Sequence, residues 1–167
     1  TNNVHVGTLG GAITSTAHVL DSNALIARIS GQVPVSGTVH IQYWYDGGQI
    51  LKSRASNIFA TSYSVHIVRL RSETRYNYKV SLTDDSGAIH ISKQGSFTSG
   101  RLPAALANAT FDVVQGKSSY PITFLDFRQK FFHGLVAIDS DGYIVWYYQA
   151  LEGHEPYVMD QRENGNI

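Results

Sequence analysis

The sequence predicts an all-β protein in two parts, a β-sandwich followed by a shorter β-rich segment. Apolar and polar residues alternate over short runs, and no stretch sustains a helical period. Turn signals such as Asp46-Gly-Gly48 and Asp84-Asp-Ser-Gly87 separate these runs. The texture changes at Ser99-Gly-Arg-Leu-Pro, where Gly, Pro and Ala become frequent. We therefore divide the chain into a sandwich over residues 1–100 and a linker with further strands over residues 101–167.

Seven short strands are expected in the first part, and this number and spacing are typical of a β-sandwich. They are Ala12–Val19, Ala24–Ser30, Thr38–Tyr45, Gln49–Ala55, Ser62–Leu70, Arg75–Thr83 and Ala88–Thr98. In the third strand, Val39, Ile41 and Tyr43 share one face, whereas His40 and Trp44 share the other. The pattern leaves open which face is buried.

Residues after the fifth strand resemble a known sandwich family. The segment Leu70-Arg-Ser-Glu-Thr-Arg-Tyr76-Asn-Tyr78-Lys-Val80, followed by Gly95-Ser-Phe97-Thr, is similar to the pattern of Ig/fibronectin type III-like domains. In that family a tyrosine at this position bonds back to the preceding corner of the chain. The resemblance implies that Tyr76 is the corner tyrosine and that Leu70 belongs to the core.

The second part is expected to contain strands at Thr110–Gln115 and Ile122–Phe127, then a hairpin. Its sequence is Gly134-Leu-Val-Ala-Ile-Asp139-Ser-Asp-Gly142-Tyr-Ile-Val-Trp146, and the Asp-Gly pair supplies the positive φ that a tight reversal needs. A second turn, Asn164-Gly-Asn-Ile167, leads toward another strand. We interpret the chain as part of a larger protein.

A fibronectin-like module, a Leu-Pro linker, an apolar strand and then this hairpin follow one another along the chain. This order of elements resembles the N-terminal part of the arylsulfotransferase family, exported proteins in which a small sandwich precedes a six-bladed β-propeller. The second part is then an incomplete β-propeller blade, with Trp146 packing between blades. Quinoprotein propellers repeat a similar hairpin pattern. Family members transfer a sulfuryl group from a phenolic sulfate through a transiently sulfated histidine. In that family the histidine nucleophile and the groups that surround the sulfate come mostly from later blades. The resemblance therefore implies a non-catalytic accessory segment and no catalytic residue here.

Two residues are candidates for a site. His154 stands where family blades often carry a histidine, so it is a candidate for binding a phenolic sulfate substrate, although an ordinary loop histidine explains it as well. Asn108-Ala-Thr110 is an N-glycosylation sequon, or a chance tripeptide that is never modified. The histidines lack a metal-ligand spacing with a matching carboxylate, so no metal site is expected. No cofactor is expected either.

Composition narrows the function further. The chain has 13 basic and 13 acidic residues, with Lys and Arg scattered, which disfavours a nucleic-acid partner. It has no cysteine, and no apolar run of about 18 residues, so no membrane span is expected. With the family resemblance, this leads us to expect a secreted, periplasmic or cell-surface protein.

The second function that the sequence allows is an extracellular adhesion or assembly module, because fibronectin-like sandwiches often serve as interaction surfaces. An incomplete blade would expose strand edges and an apolar face carrying Val136, Ile138, Val145 and Trp146. The expected partner is therefore the remainder of a propeller or another copy of the chain. Alternatively, the hairpin is buried against the sandwich.

Overall fold

The computed structural model describes residues 12–112 and 121–150, and these residues form β-strands and connecting loops without a helix. The chain divides into two compact units, Thr1–Gly100 and Arg101–Ile167. The described residues therefore include no helix that is long and apolar enough to cross a membrane. The predicted all-β fold is confirmed.

The first unit is a β-sandwich of two antiparallel sheets. Its strands are β1 (Thr16–Leu20), β2 (Asn23–Gln32), β3 (Gly37–Trp44), β4 (Leu51–Lys52), β5 (Ser56–Ile58), β6 (Ser62–Ile67), β7 (Arg75–Asp84), β8 (Ile89–Ile91) and β9 (Gly95–Thr98). One sheet has the order β1-β2-β6. The other has β3 and β7 at its centre, with β4 and β5 along the outer side of β3 and with β8 and β9 along the outer side of β7.

The core lies between these sheets and is built from alternate residues of their central strands. On β3 the side chains of Val39, Ile41 and Tyr43 are buried, which answers the question that the sequence left open. The opposite face of β3 carries His40 and Trp44, which are half-buried. Period-two burial of this kind is expected for an antiparallel sheet with one face against a core.

Tyr76 occupies the predicted corner position at the start of β7. Its ring is fully buried, and its hydroxyl oxygen accepts a hydrogen bond from the backbone N–H of Arg71 at 2.8 Å. The ring of Phe97 on β9 stacks on it with a centroid distance of 5.7 Å. Leu70, just before the corner, is also fully buried. Both predictions for this corner are confirmed.

Two strands predicted as continuous are interrupted, and both lie at the edges of the larger sheet. The predicted strand Gln49–Ala55 is replaced by β4 and β5. Arg54 and Ala55 together stand opposite the single residue His40, and two residues opposite one make a β-bulge. The Ser53 hydroxyl accepts the Ile41 N–H at 2.9 Å and donates to the Arg54 carbonyl at 2.9 Å.

The other edge repeats this construction. Lys93 and Gln94 stand opposite the single residue Lys79 and separate β8 from β9. The Ser92 hydroxyl accepts the Val80 N–H at 2.9 Å and donates to the Lys93 carbonyl at 2.7 Å. The predicted strand Ala88–Thr98 was therefore wrong in its middle, because a serine side chain replaces one backbone acceptor and releases the following basic residue from the ladder.

The second unit contains an antiparallel meander of β10 (Ile122–Gln129), β11 (Phe132–Asp139) and β12 (Ile144–Gln149), in that order. It includes the predicted strand Ile122–Phe127 and the predicted hairpin. The expected strand Thr110–Gln115 is not formed over residues 110–112, and its remaining residues lie outside the described ranges. A Cβ at residue 134 would lie 1.9 Å from the carbonyl oxygen of Tyr148, so only glycine permits the close approach of β11 and β12 there.

The β11–β12 turn has the same geometry as the β7–β8 turn of the first unit. Gly142 has a φ of 85°, and Gly87 has a φ of 84°. The carboxylate of Asp139 accepts the backbone N–H groups of residues 141 and 143, at 3.0 Å each. Asp84 does the same for residues 86 and 88, at 2.9 and 3.0 Å. The predicted positive φ at the Asp-Gly reversal is confirmed.

The central strand of the meander is buried on both of its faces. Leu135 and Ala137 are buried on one face, and Val136 and Ile138 are buried on the other. Val145 is also buried, whereas Trp146 is half-buried and meets Phe124 edge-to-face at 6.1 Å. The expected exposed apolar face is therefore largely covered in this structure.

Candidate functional site

The candidate site is a groove of about 430 Å³ along one side of the sandwich, between the segment Leu51–Ser56 and the segment Ser64–Arg69. The first segment contains β4 and the bulge before β5, at the edge of the larger sheet. The second contains most of β6 and the residues that follow, at the edge of the smaller sheet. Its position at the opening between two sheet edges follows directly from the sandwich topology.

The bulge determines which side chain enters this groove from the larger sheet. Because Ser53 pairs with Ile41 through its hydroxyl as well as its backbone N–H, the ladder ends there and resumes only at Ser56. Arg54 lies between these two points, is exposed and lines the groove. Lys52, at the end of β4, is exposed and lines it as well.

The opposite wall contains Arg69, which adopts a left-handed backbone conformation with a φ of 63°. Just before it, the Val68 carbonyl accepts a hydrogen bond from the Tyr43 hydroxyl at 2.7 Å. Burial of its phenol raises the pKa of Tyr43 to about 12, although the positive charge of Arg69 acts in the opposite direction. The Tyr43 hydroxyl is therefore a neutral donor at physiological pH, and it ties this wall of the groove to β3.

The groove is basic. Lys52, Arg54 and Arg69 line it together with His66, and no Asp or Glu is among its lining residues. On the outer face of the smaller sheet, Arg28 stands directly opposite His66. The first unit as a whole has eight Lys and Arg against five Asp and Glu. Cationic side chains gathered in one groove without a carboxylate favour an anionic ligand, because guanidinium and ammonium groups donate charge-assisted hydrogen bonds to oxyanions.

The predicted site residues lie elsewhere. His154, the candidate for binding a phenolic sulfate, lies outside the described residues. Asn108 is exposed and lies in a turn of the second unit, where the Ala109 N–H bonds to the Leu106 carbonyl at 3.0 Å. Exposure is what a glycosylation acceptor needs. Modification of Asn108 stays a prediction.

His90 and Asp84 form a close pair, but this pair stabilises a turn and does not form a binding site. The Nε2 atom of His90 lies 2.9 Å from a carboxylate oxygen of Asp84. The hydrogen bond with His90 and the one with Ser86 lower the pKa of Asp84 below its usual range. Since the other carboxylate oxygen of Asp84 already accepts the N–H groups of its own turn, this pair stabilises the β7–β8 hairpin. In the part of the chain that the structure describes, no three potential metal ligands gather.

Reasoning from the sequence missed the groove for a physical reason. Lys52 and Arg54 are scattered basic residues by sequence, and His66 is one position in an alternating strand. They meet only because β4 and β6 belong to different sheets whose edges face the same side of the sandwich. The local signal was Ser53-Arg54, which is repeated as Ser92-Lys93, a serine and a basic residue within an edge strand.

The chain is similar to the crystal structure of a fibronectin type III domain of human collagen XX, with 20% sequence identity and a TM-score of 0.40. The match covers 53% of this chain and 90% of that domain. No protein-family model matches the sequence. The search of curated proteins also gave no match.

Proposed function

We propose that this chain is a non-catalytic accessory segment of an exported, arylsulfotransferase-like protein, in which the sandwich is a binding module and the second unit begins a propeller. The observation that carries the proposal is the β10–β12 meander with its Asp139 turn. Propeller blades are four-stranded antiparallel sheets. The meander supplies three consecutive antiparallel strands.

The packing of the meander supports the same proposal. A propeller blade is covered on both faces by neighbouring layers, and β11 carries apolar side chains on both faces. Trp146 stands on β12 opposite Ala137, beside Phe124, as expected for an aromatic packing residue in a blade. A solvent-facing antiparallel sheet would instead alternate apolar and polar residues along its central strand.

The non-catalytic role follows from the chemistry of sulfuryl transfer. The reaction needs a neutral imidazole as the nucleophile and fixed cationic or hydrogen-bonding groups around the sulfate oxygens. At a propeller centre those groups come from several blades. A segment with one blade would hold a part of them at most, so its contribution would be docking, dimerisation or access to substrate.

The coding sequence tests whether this chain belongs to an arylsulfotransferase-like protein. Sequencing on the 3′ side of the Ile167 codon should reveal further repeats of Asp-x-x-Gly-x-x-x-Trp, spaced by about one blade of 40 to 50 residues. A stop codon, or further sandwich modules without these repeats, would contradict the proposed parentage.

An activity measurement tests the non-catalytic role separately. The purified chain should release no coloured phenol from 4-nitrophenyl sulfate in the presence of an acceptor phenol. The His154→Ala variant is the matched control. Turnover by the chain that is lost in this variant would overturn the non-catalytic role and would identify His154 as part of an active site.

The second candidate function is an extracellular assembly module, and the exposure of Phe59 favours it. This side chain is 95% exposed in the loop between β5 and β6. Aromatic residues are enriched in protein–protein interfaces, and a second copy of the chain could bury this one. Light scattering should then detect association that increases with concentration and is lost in Phe59→Ser but kept in Phe131→Ser, a similarly exposed control at 74%. A monomer at every concentration would contradict self-assembly.

A further inference from the structure

The sandwich has four edges, and β6 differs from the other three. The strand β1 has five residues and a register shift at Val19 and Leu20. Both edges of the larger sheet contain the bulges at Ser53-Arg54 and at Ser92-Lys93. In contrast, β6 pairs with β2 over six residues without any shift. Bulges and charged residues protect sheet edges from further pairing, whereas a regular edge can accept another strand.

The sequence of β6 adds no protection of its own. Ser62-Tyr-Ser-Val-His-Ile67 contains neither Lys nor Pro, the residues that commonly block an edge. Its buried positions, Tyr63, Val65 and Ile67, hold the strand on the core, and Ser62, Ser64 and His66 are exposed. Among the described strands, β6 pairs with β2 alone. Its other side therefore presents backbone donors and acceptors.

The groove lies on that unpaired side. Consecutive residues from Ser64 to Arg69 line it, so the edge of the strand, and not one of its faces, borders the cavity. Packed sheets are separated by about 10 Å, and a neighbouring strand lies about 4.8 Å away within a sheet. A chain that extends the smaller sheet beside β6 would therefore lie in the groove, next to the segment Leu51–Ser56.

The charges of the groove select the composition of such a chain. Lys52 and Arg54 are exposed on one wall, and Arg69 stands on the other. None of them forms an ion pair with a carboxylate of the described residues. An extended chain with acidic side chains would supply both the backbone groups for β6 and the carboxylates for these three cations.

We propose that the groove binds an extended acidic peptide that adds as a strand to the free edge of β6. Main-chain hydrogen bonds would supply affinity, as in other cases of β-strand addition, and the cationic walls would supply selectivity for acidic sequences. The site belongs to the sandwich alone, so it does not depend on the proposed parent protein.

A labelled probe peptide tests this. The probe is an acetylated and amidated peptide of alternating Thr and Glu, about eight residues long to span β6. Fluorescence anisotropy should show saturable binding to the full chain, weakened at least tenfold in Arg54→Glu. Lys93→Glu is the matched control, because Lys93 occupies the equivalent bulge at the opposite edge, outside the groove. It should change the affinity less than twofold. Lys52→Glu gives a second, independent test of the charges.

Two further arms separate strand addition from simple charge attraction. The same peptide with every backbone nitrogen methylated keeps its charge but loses all of its main-chain donors, and it should bind at least tenfold more weakly. Hydrogen exchange should slow at β6 amides when the unmodified probe binds. Equal binding of the methylated peptide, or of a sulfated polysaccharide with no change in exchange at β6, would overturn the proposal. So would equal losses in Arg54→Glu and Lys93→Glu, or no binding up to about 1 mM, the weak end of the usual affinity scale.

Discussion

Tyr76 is fixed at its corner by one hydrogen bond and by close aromatic neighbours. Its hydroxyl accepts the N–H of Arg71, and its ring lies 5.7 Å from the rings of both Tyr45 and Phe97. The corner also contains Ser99, whose hydroxyl accepts the N–H of Thr74 at 2.9 Å and donates to the carbonyl of Arg71. The end of β9 is thereby joined to the loop that precedes β7.

Removing the corner bond should cost stability without changing the fold. Tyr76→Phe keeps the ring but leaves the Arg71 N–H without this partner, so we expect a loss of about 1 to 3 kcal/mol in the free energy of unfolding. Leu70→Ala should cost about 2 to 5 kcal/mol, because it opens a cavity in the core. Urea unfolding measures both. Phe59→Ala, at an exposed position, is the control and should remain within about 0.5 kcal/mol. A loss below about 0.5 kcal/mol in Leu70→Ala would contradict the position of Leu70 in the core.

Tyr43 should make stability fall at alkaline pH. Its pKa is raised to about 12 by burial, above the ordinary value of 10.0. The folded state therefore favours the neutral phenol, and this contribution is fully present below about pH 10 and is lost as the pH rises toward 12. Unfolding free energies measured between about pH 8 and pH 11 should decline less steeply in Tyr43→Phe than in the unaltered chain. An equally steep decline would contradict the assignment. Phe59→Ala, which removes no ionisable group, is the control, and it should leave the slope unchanged.

At the scale of the elements, the two bulges explain why each edge of the larger sheet consists of two short strands instead of one continuous strand. In each, a serine hydroxyl takes the place of a backbone acceptor, and the next residue is basic. The arrangement bends the edge and places a charge on it, and both effects oppose unwanted pairing. The same device that protects one edge places Arg54 in the groove.

The buried bulge is the sharper one to test. Ser92 is buried, and its hydroxyl accepts the N–H of Val80 within the sheet. Ser92→Ala leaves that N–H without its acceptor, so we expect a loss of about 1 to 3 kcal/mol. Ser96→Ala, at an exposed position on the neighbouring strand, is the matched control. Equal stability of the two variants by urea unfolding would show that the serine does not hold the bulge.

At the scale of the whole molecule, two units with different patterns of charge and burial follow one another in the chain. The first unit has an excess of three basic residues, and the second has an excess of three acidic residues, so the zero net charge of the sequence conceals two opposite values. Ionic strength should therefore affect binding at the first unit strongly, although the chain as a whole is neutral. The net charge of the whole sequence does not show this difference between the two units.

The second unit should resist proteolysis. Phe132 and Leu135 are sites for chymotrypsin, but both are buried in β11. We expect cleavage after them to be much slower in the native chain than in the chain unfolded by urea. Mass spectrometry of the fragments, together with light scattering, distinguishes burial within one chain from burial between copies. Rapid cleavage of a native monomer after these residues would contradict the packing of the meander.

The sequence determined the features that depend on local chemistry. Period-two alternation predicted an all-β fold, and the Asp141-Gly142 pair predicted the positive φ of the β11–β12 turn. The resemblance of the segment from Leu70 to Val80 to fibronectin type III domains predicted the corner. The tertiary structure decided the rest, because it depends on contacts between distant strands. The bulges arise where the hydroxyl groups of Ser53 and Ser92, in place of a backbone carbonyl, accept N–H groups of the neighbouring strands. The buried face of β3 is set by the opposing sheet. The groove exists because the edges of two sheets bring Lys52, Arg54 and Arg69 together, and no periodicity within one strand encodes that meeting.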